Sequence, residues 1–478
     1  NMNRLKSSKN SRFAVCLLAI LFATSVLARD TLFVMDVTMH GDTYAQYANN
    51  KEYDVTGNSY PKNGDLSADG IKQMYKLGQD FKKEYVDKQK FMSSSFDPNS
   101  VFLQSIKDQP GLMSAYAFML GAYPDSTGYL NLKMDNALEH QKLVRKTVGL
   151  SETPNRGTQS VSVATDEGFL YWTNPAKQCP ALYKKIQAHL SSGGEALDSE
   201  YQAKLYPELA AQFSKPVSKF NFASTHFYLD DYLVAQRTGS KYPQFSNQKN
   251  IDKLIEEYER DYYYEGMLGG NEISRVVATP LINYLLINNF AQGEVARGTL
   301  KDPKIAALKH SHFFTNEVGF AAFLKAIGYP QGSAPKGAQN IRFELFKTNG
   351  KYFVRSSLDA SPLNFVSSEH GIFELDEFLK TIFPMMYFGD IAQVCAGRED
   401  ISLNVYPKCQ NYQDYLMQYF SEITHVDHKV VKKCHLSEKV VPVPVRRPER
   451  TVEHKVDLIN VGFVEIVQVA PPQRCRVD

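Results

Sequence analysis

The sequence predicts an α/β protein: a sheet flanked by helices, a helix-rich stretch within the chain, and a C-terminal tail with β-like runs. Three observations carry this. Short apolar, β-rich segments alternate with helical patterns up to about residue 125 and again from about 290, as strand–loop–helix folds require. Between them, residues 126–289 turn polar, Tyr-rich and helical in pattern. Beyond about residue 397 the pattern breaks, and residues 451–469 alternate apolar and polar side chains as an edge strand or strand pair would.

A chain of 478 residues holds about three domains of roughly 150 residues each, ample for a large buried core. Hydrophobic residues at 43% and charged residues at 22% exclude disordered, collagen-like and coiled-coil architectures. A formal charge of +2 leaves no basic excess for holding nucleic acid. Four of the basic residues, Arg4, Lys6, Lys9 and Arg12, precede a 16-residue apolar run that ends on Val26-Leu27-Ala28. That run is short for a membrane span of about 20 residues, and the small residues suit signal peptidase, so residues 1–28 read as a secretory signal. Without them, 50 basic residues face 52 acidic ones, a net charge of −2. A secreted or lumenal location is expected.

Residues 31–37 (TLFVMDV) form the first predicted strand, ending at Thr38-Met39-His40-Gly41-Asp42-Thr43, where Gly41 would permit a tight turn. Ser67 is a candidate N-cap for a helix whose face repeats Ile71, Met74, Tyr75, Leu77, Gly78, Phe81 and Tyr85. Residues 101–105 make a second strand, followed by a helix over 113–120. A core helix is expected over 273–286, strand-like residues over 305–314, and a helix over 318–327 that stops at Gly328. Residues 342–346 and 351–355 flank Asn349-Gly350 and predict a hairpin. The Pro-rich stretch 440–450 reads as an extended linker.

Six cysteines are present; Cys16 lies in the signal segment, leaving an odd five, which allows two disulfides and one spare thiol. No CxxC or Cys/His cluster has metal-ligand spacing, and His425, His428, Cys434 and His435 read as a solvated loop. Neither a metal nor a cofactor is expected.

The run Phe33-Val34-Met35-Asp36-Val37-Thr38-Met39-His40-Gly41-Asp42-Thr43-Tyr44-Ala45 resembles the histidine acid phosphatases, whose signature is a strand followed by Arg-His-Gly-x-Arg-x-Pro. Leu66-Ser67-Ala68-Asp69-Gly70 is similar to the family's Leu-Thr-x-x-Gly helix, and Leu112-Met113-Ser114-Ala115 through Tyr123-Pro124 to the helix after its second strand. Cys179-Pro180 and Lys351-Tyr352-Phe353-Val354 also have counterparts, so the likeness runs in order from about residue 30 to 397. It implies a mainly parallel sheet core built from 29–125 and 290–397, a mainly helical cap inserted at 126–289, and an added C-terminal extension at 398–478. It also implies a disulfide between Cys179 and Cys395. Cys409, Cys434 and Cys475 then belong to the extension, where one pair could form.

In active members of that family a His attacks phosphorus, three Arg and a second His surround the phosphate, and an Asp protonates the leaving group. A dianionic phosphate needs charge-assisted donors, and more so in the transition state. Carried over by position, the nucleophile is His40 and is present. The three Arg positions hold Met39, Thr43 and Gln104, and the motif's Pro is Ala45. For the second His and the acid two registers stay open. His310-Ser311-His312 offers His312; counting back from Ala326-Ile327-Gly328 offers Asn316 followed by Glu317, which keeps strand and helix lengths intact and is preferred. Glu317 could alternatively just cap the helix beginning near Val318. Lys107 could supply one replacement cation but reads as a solvated loop residue.

The resemblance with this pocket implies a secreted, catalytically inactive phosphatase-like protein with a binding or structural role. The alternative is an active acid phosphatase or other hydrolase with a rebuilt pocket, using His40 as nucleophile and Glu317 as acid. A protein partner, or a second copy of the chain, is expected to attach through 398–478, with no nucleic acid and no membrane span after signal cleavage.

Overall fold

A computed structural model describes residues 29–44, 64–127, 139–152, 162–165, 179–185, 201–212, 214–221, 271–329, 334–363 and 370–399, with isolated positions between 188 and 259 and Leu416. The signal segment 1–28, the linker 440–450, the alternating run 451–469 and the three tail cysteines lie outside the described residues.

The elements, in chain order, are β1 (Asp30–Met39), α1 (Ala68–Phe81) continued by a π-helical turn (Lys82–Lys88), β2 (Val101–Ser105), α2 (Gln109–Ala122), α3 (Glu139–Thr147), α4 (Tyr206–Gln212), α5 (Asn271–Arg297), α6 (Pro303–Ala307), β3 (His310–Thr315), α7 (Glu317–Ala326), β4 (Asn340–Thr348), β5 (Lys351–Leu358), β6 (Ser361–Pro362), β7 (Ile372–Glu374), α8 (Leu375–Ile382) and α9 (Ile391–Cys395). One seven-stranded sheet runs β2-β3-β1-β4-β5-β6, with β7 on β5. The core strands β2, β3 and β1 are parallel, joined by helical crossovers. The hairpin strands β4 and β5 extend them antiparallel. Their turn has Asn349 and Gly350 both at positive φ, 51° and 77°, as a two-residue hairpin loop needs.

Residues on β1 alternate between two apolar layers. Phe33, Met35, Val37 and Met39 face Leu281, Leu285, Phe320 and Phe323 of α5 and α7. Val34 faces Ile71, Met74, Phe81 and Phe118 of α1 and α2. Gly78 recurs on the buried face of α1 because a Cβ there would stand 2.0 Å from the Phe118 carbonyl oxygen of α2. Ser67 caps α1, its hydroxyl accepting from the Gly70 N–H at 3.0 Å.

Two elements differ from their sequence patterns. The strand-like stretch 305–314 divides into α6 and β3, because Asp302 accepts from the Lys304 and Ile305 N–H groups and Pro303 starts a helical turn. The core helix runs to Arg297 instead of 286, since Phe290 and Ala291 still pack into the core past the weak helix formers Asn288 and Asn289. The span 126–289 contains α3, α4 and the start of α5 among its described residues. Cys179 and Cys395 form the expected disulfide, tying the segment before Leu182 to α9 across 216 residues of chain. Among the described residues no helix is long and apolar enough to cross a membrane.

Candidate active site

Ligands of open α/β sheets bind beyond the carboxyl ends of the parallel strands, and here those ends coincide. Met39 pairs with Thr315, and Ser105 with Phe314. His40 follows β1: its N–H donates to the Thr315 carbonyl at 2.9 Å, and its own carbonyl accepts from the Ala338 N–H at 3.0 Å. The loop that follows is clamped by both helices. The Gly41 N–H donates to Ser114 Oγ of α2 at 3.1 Å. Gln73 of α1 binds Asp42 twice, accepting from its N–H at 3.0 Å and donating to Oδ2 at 2.8 Å. Ser67 Oγ donates to the Asp42 carbonyl at 2.8 Å. The tight turn expected at Gly41 is not formed: residues 40–42 make neither a turn nor a bend, and Gly41 does not take a positive φ. Gly41 is needed because its Cβ would lie 2.4 Å from the Gly70 carbonyl oxygen, so loop and helix touch backbone to backbone.

The His40 ring is buried. Nδ1 lies 2.8 Å from the Gly41 carbonyl, which can only accept, so Nδ1 carries a proton. Nε2 lies 3.6 Å from Glu317 Oε2. Burial disfavours the imidazolium, but the carboxylates of Glu317 and then Asp108 outweigh it and push the pKa up from 6.5 to about 9. At neutral pH both ring nitrogens are therefore protonated.

Glu317 is the first residue of α7, where the helix dipole favours a carboxylate. It is not the N-cap: Asn316 takes that place, its Oδ1 accepting from the Gly319 N–H at 2.9 Å. Met39 is packed in the core layer against the α5–α7 side. Thr43 bridges Leu66 through the backbone, and Gln104 is buried beside Ala164, which pairs with β2. None of these positions brings a cation. Lys107 is exposed.

Asp108 was not singled out by sequence. It caps α2, Oδ1 accepting from the Gly111 N–H at 2.8 Å, and burial raises its pKa while His40 opposes that rise. The available signal was Asp108 two residues ahead of Pro110, a helix start that reading the helix from 113 passes over.

His310 and His312, the other register for the second His, are enclosed within β3. His312 Nε2 lies 2.6 Å from Thr38 Oγ1, which itself donates to Asn340 Oδ1 at 2.6 Å, so the ring is the donor. It stacks on Phe314 at 4.0 Å, and burial holds it neutral. His310 Nε2 donates to Asp36 Oδ2 at 2.9 Å. Asp36, His310 and His312 stand close enough to share a metal ion. The Asp36 carboxylate, however, already receives Arg342 Nε at 2.7 Å, Arg342 Nη2 at 3.2 Å and Asn340 Nδ2 at 2.9 Å. A metal would have to displace a guanidinium, and the residues do not fit one.

Residues 14–359 match the histidine phosphatase superfamily (branch 2). No curated protein matches the sequence. Among solved structures, the chain is similar to the Hafnia alvei phytase in complex with tartrate, with 13% identity, a TM-score of 0.51, and coverage of 76% of this chain and 98% of the phytase. The same phytase in complex with myo-inositol hexakis sulphate gives 13% identity, a TM-score of 0.50 and the same coverage. At that identity the likeness is one of fold, and with the match across most of its length the chain belongs to the histidine phosphatase superfamily, branch 2.

Proposed function

We propose that this chain is a secreted or lumenal histidine acid phosphatase-like protein that does not hydrolyse phosphoesters and serves in binding or structure. The observation that carries this reading is the company of His40: carboxylates from Glu317 and Asp108 stand where a phosphate-binding pocket needs cations. Two consequences follow. An imidazolium has no free lone pair on Nε2 with which to attack phosphorus. Without the guanidiniums that Met39, Thr43 and Gln104 replace, three charge-assisted contacts of about 1.5–3 kcal/mol each are missing. That scale is roughly 5–9 kcal/mol, or about four to six powers of ten in rate, before non-additivity.

In this reading His40 and Glu317 are what remains of the catalytic pair, and Asn316 occupies the second-His position. The alternative, a hydrolase with His40 as nucleophile and Glu317 as acid, is favoured by their 3.6 Å approach. One experiment separates them. The purified protein should release no phosphate from p-nitrophenyl phosphate or phytate, at acid or neutral pH, above the rate of His40→Ala. A rate that collapses on that substitution overturns the reading.

The secretory route rests on the basic and apolar character of residues 1–28. The domain division, with the cap at 126–289 and the extension at 398–478, rests on the change in sequence character at each boundary. Removing 417–478, which keeps the buried Leu416 in the core, should abolish association with a partner or second copy; unchanged association shows that the extension beyond it is not the connector.

A further inference from the structure

Loss of arginines alone would leave a neutral pocket in which a protonated His40 could still hold an anion. Two helix N-termini adjoin that histidine, and such termini attract anions through their unpaired N–H groups. In this protein one N–H of each is taken by a side chain of its own chain. Asp108 takes the Gly111 N–H of α2, a helix that also reaches the His40 loop through Ser114. Asn316 takes the Gly319 N–H of α7, and Glu317 adds a carboxylate in the first turn. Among the described residues, the carboxylates that act on His40 are therefore Glu317 from α7 and Asp108 from the start of α2. Lys107, next to Asp108, and Lys336, on the segment that meets the His40 carbonyl, are both exposed to solvent.

We propose that Asp108 is a specificity-determining residue of this pocket: together with Glu317 it surrounds the His40 imidazolium with negative charge and occupies a helix N–H that an anion would use, so the pocket rejects anionic groups actively. The inference rests on reading the pocket as one that no longer handles phosphoesters, and it adds a cause separate from the missing guanidiniums.

Inorganic phosphate and orthovanadate are the probes, titrated into the full chain while the His40 ring is followed by NMR and heat by calorimetry. Asp108→Asn keeps a cap as good as Asp but removes the charge. It should bind either anion about tenfold tighter than the parent protein, as removal of one nearby like charge in a part-buried site allows. Asp108→Ser is a second neutral cap and should behave alike. The proposal is overturned if both neutral variants fold, by their urea midpoints, and bind no tighter than the parent, or if the parent already binds as tightly as they do. Phosphate release by the parent protein would instead overturn the proposed function, so the two failures are distinguishable.

Discussion

Two charged groups four residues apart on the same chain segment, Asp36 within β1 and His40 just past its end, have opposite surroundings. Asp36 is fully buried and receives a guanidinium from Arg342, an amide from Asn340 and an imidazole from His310. Burial alone would raise its pKa, yet Arg342 and the His310 hydrogen bond hold it far below the usual carboxylate range. A second buried carboxylate, Glu344, is paired with Arg29 and Arg355 and accepts from the Tyr85 hydroxyl. His40 is faced instead by carboxylates, Glu317 and then Asp108, which favour its protonated ring. Asp36 is paired at a place where an unpaired ion would unfold the sheet. A buried unpaired carboxylate costs every folded molecule several kcal/mol, whereas a missing substrate ligand costs the fold nothing.

The sharpest way to break this contrast is to strand Asp36. Arg342→Met should cost on the order of 3–5 kcal/mol, because the carboxylate stays buried without its cation. Urea unfolding would measure it, and Asp36→Asn in the same chain should recover most of the loss. If Arg342→Met costs under about 1 kcal/mol, the pair does not hold the sheet.

A smaller effect tests the other region. His40 has a folded pKa above its ordinary value, so folding binds a proton and the resulting stability is present in full below 6.5 and lost as pH rises to about 9. The span corresponds to on the order of 3 kcal/mol. Urea midpoints across that range should fall in the parent protein and stay nearly level in Glu317→Gln, with the His40 NMR titration moving down in the variant. A level profile in the parent would mean that Glu317 does not hold the proton on His40.

The smallest effect separates neighbours. Asn316→Ala should cost about 1 kcal/mol through the lost cap of α7, read as a drop in melting temperature. It should leave the His40 titration in place. A titration displaced as far as in Glu317→Gln would make Asn316 part of the pocket's charge balance and not only a helix cap.

Much of the site's address was legible. Strand, His40 and Gly41 stand together in one short local run, which is enough to mark them in the sequence. Counting back from Ile327-Gly328 put Asn316 and Glu317 at a helix start, since helix length is itself a local property, and α7 begins at Glu317. Gly41 could be marked as special but not explained: its reason is Gly70, 29 residues on, whose backbone touches it. Asp108 was hidden for a related cause. Its helix-start signal is local, but its approach to His40 depends on how β2 and β1 line up with β3 between them.

By itself the sequence determined the α/β class and the strand–histidine run, while the pairing of Cys179 with Cys395 was implied by the family resemblance. The class and the run are matters of residue type and local period, which the chain carries wherever it goes. Only the tertiary structure decided which charges meet. Asp36 and Arg342 are 306 residues apart, and His40 and Glu317 come together only when β1 and β3 pair in register. Electrostatic energy depends on distance in space and on burial, and the order of residues along the chain specifies neither until the sheet has formed.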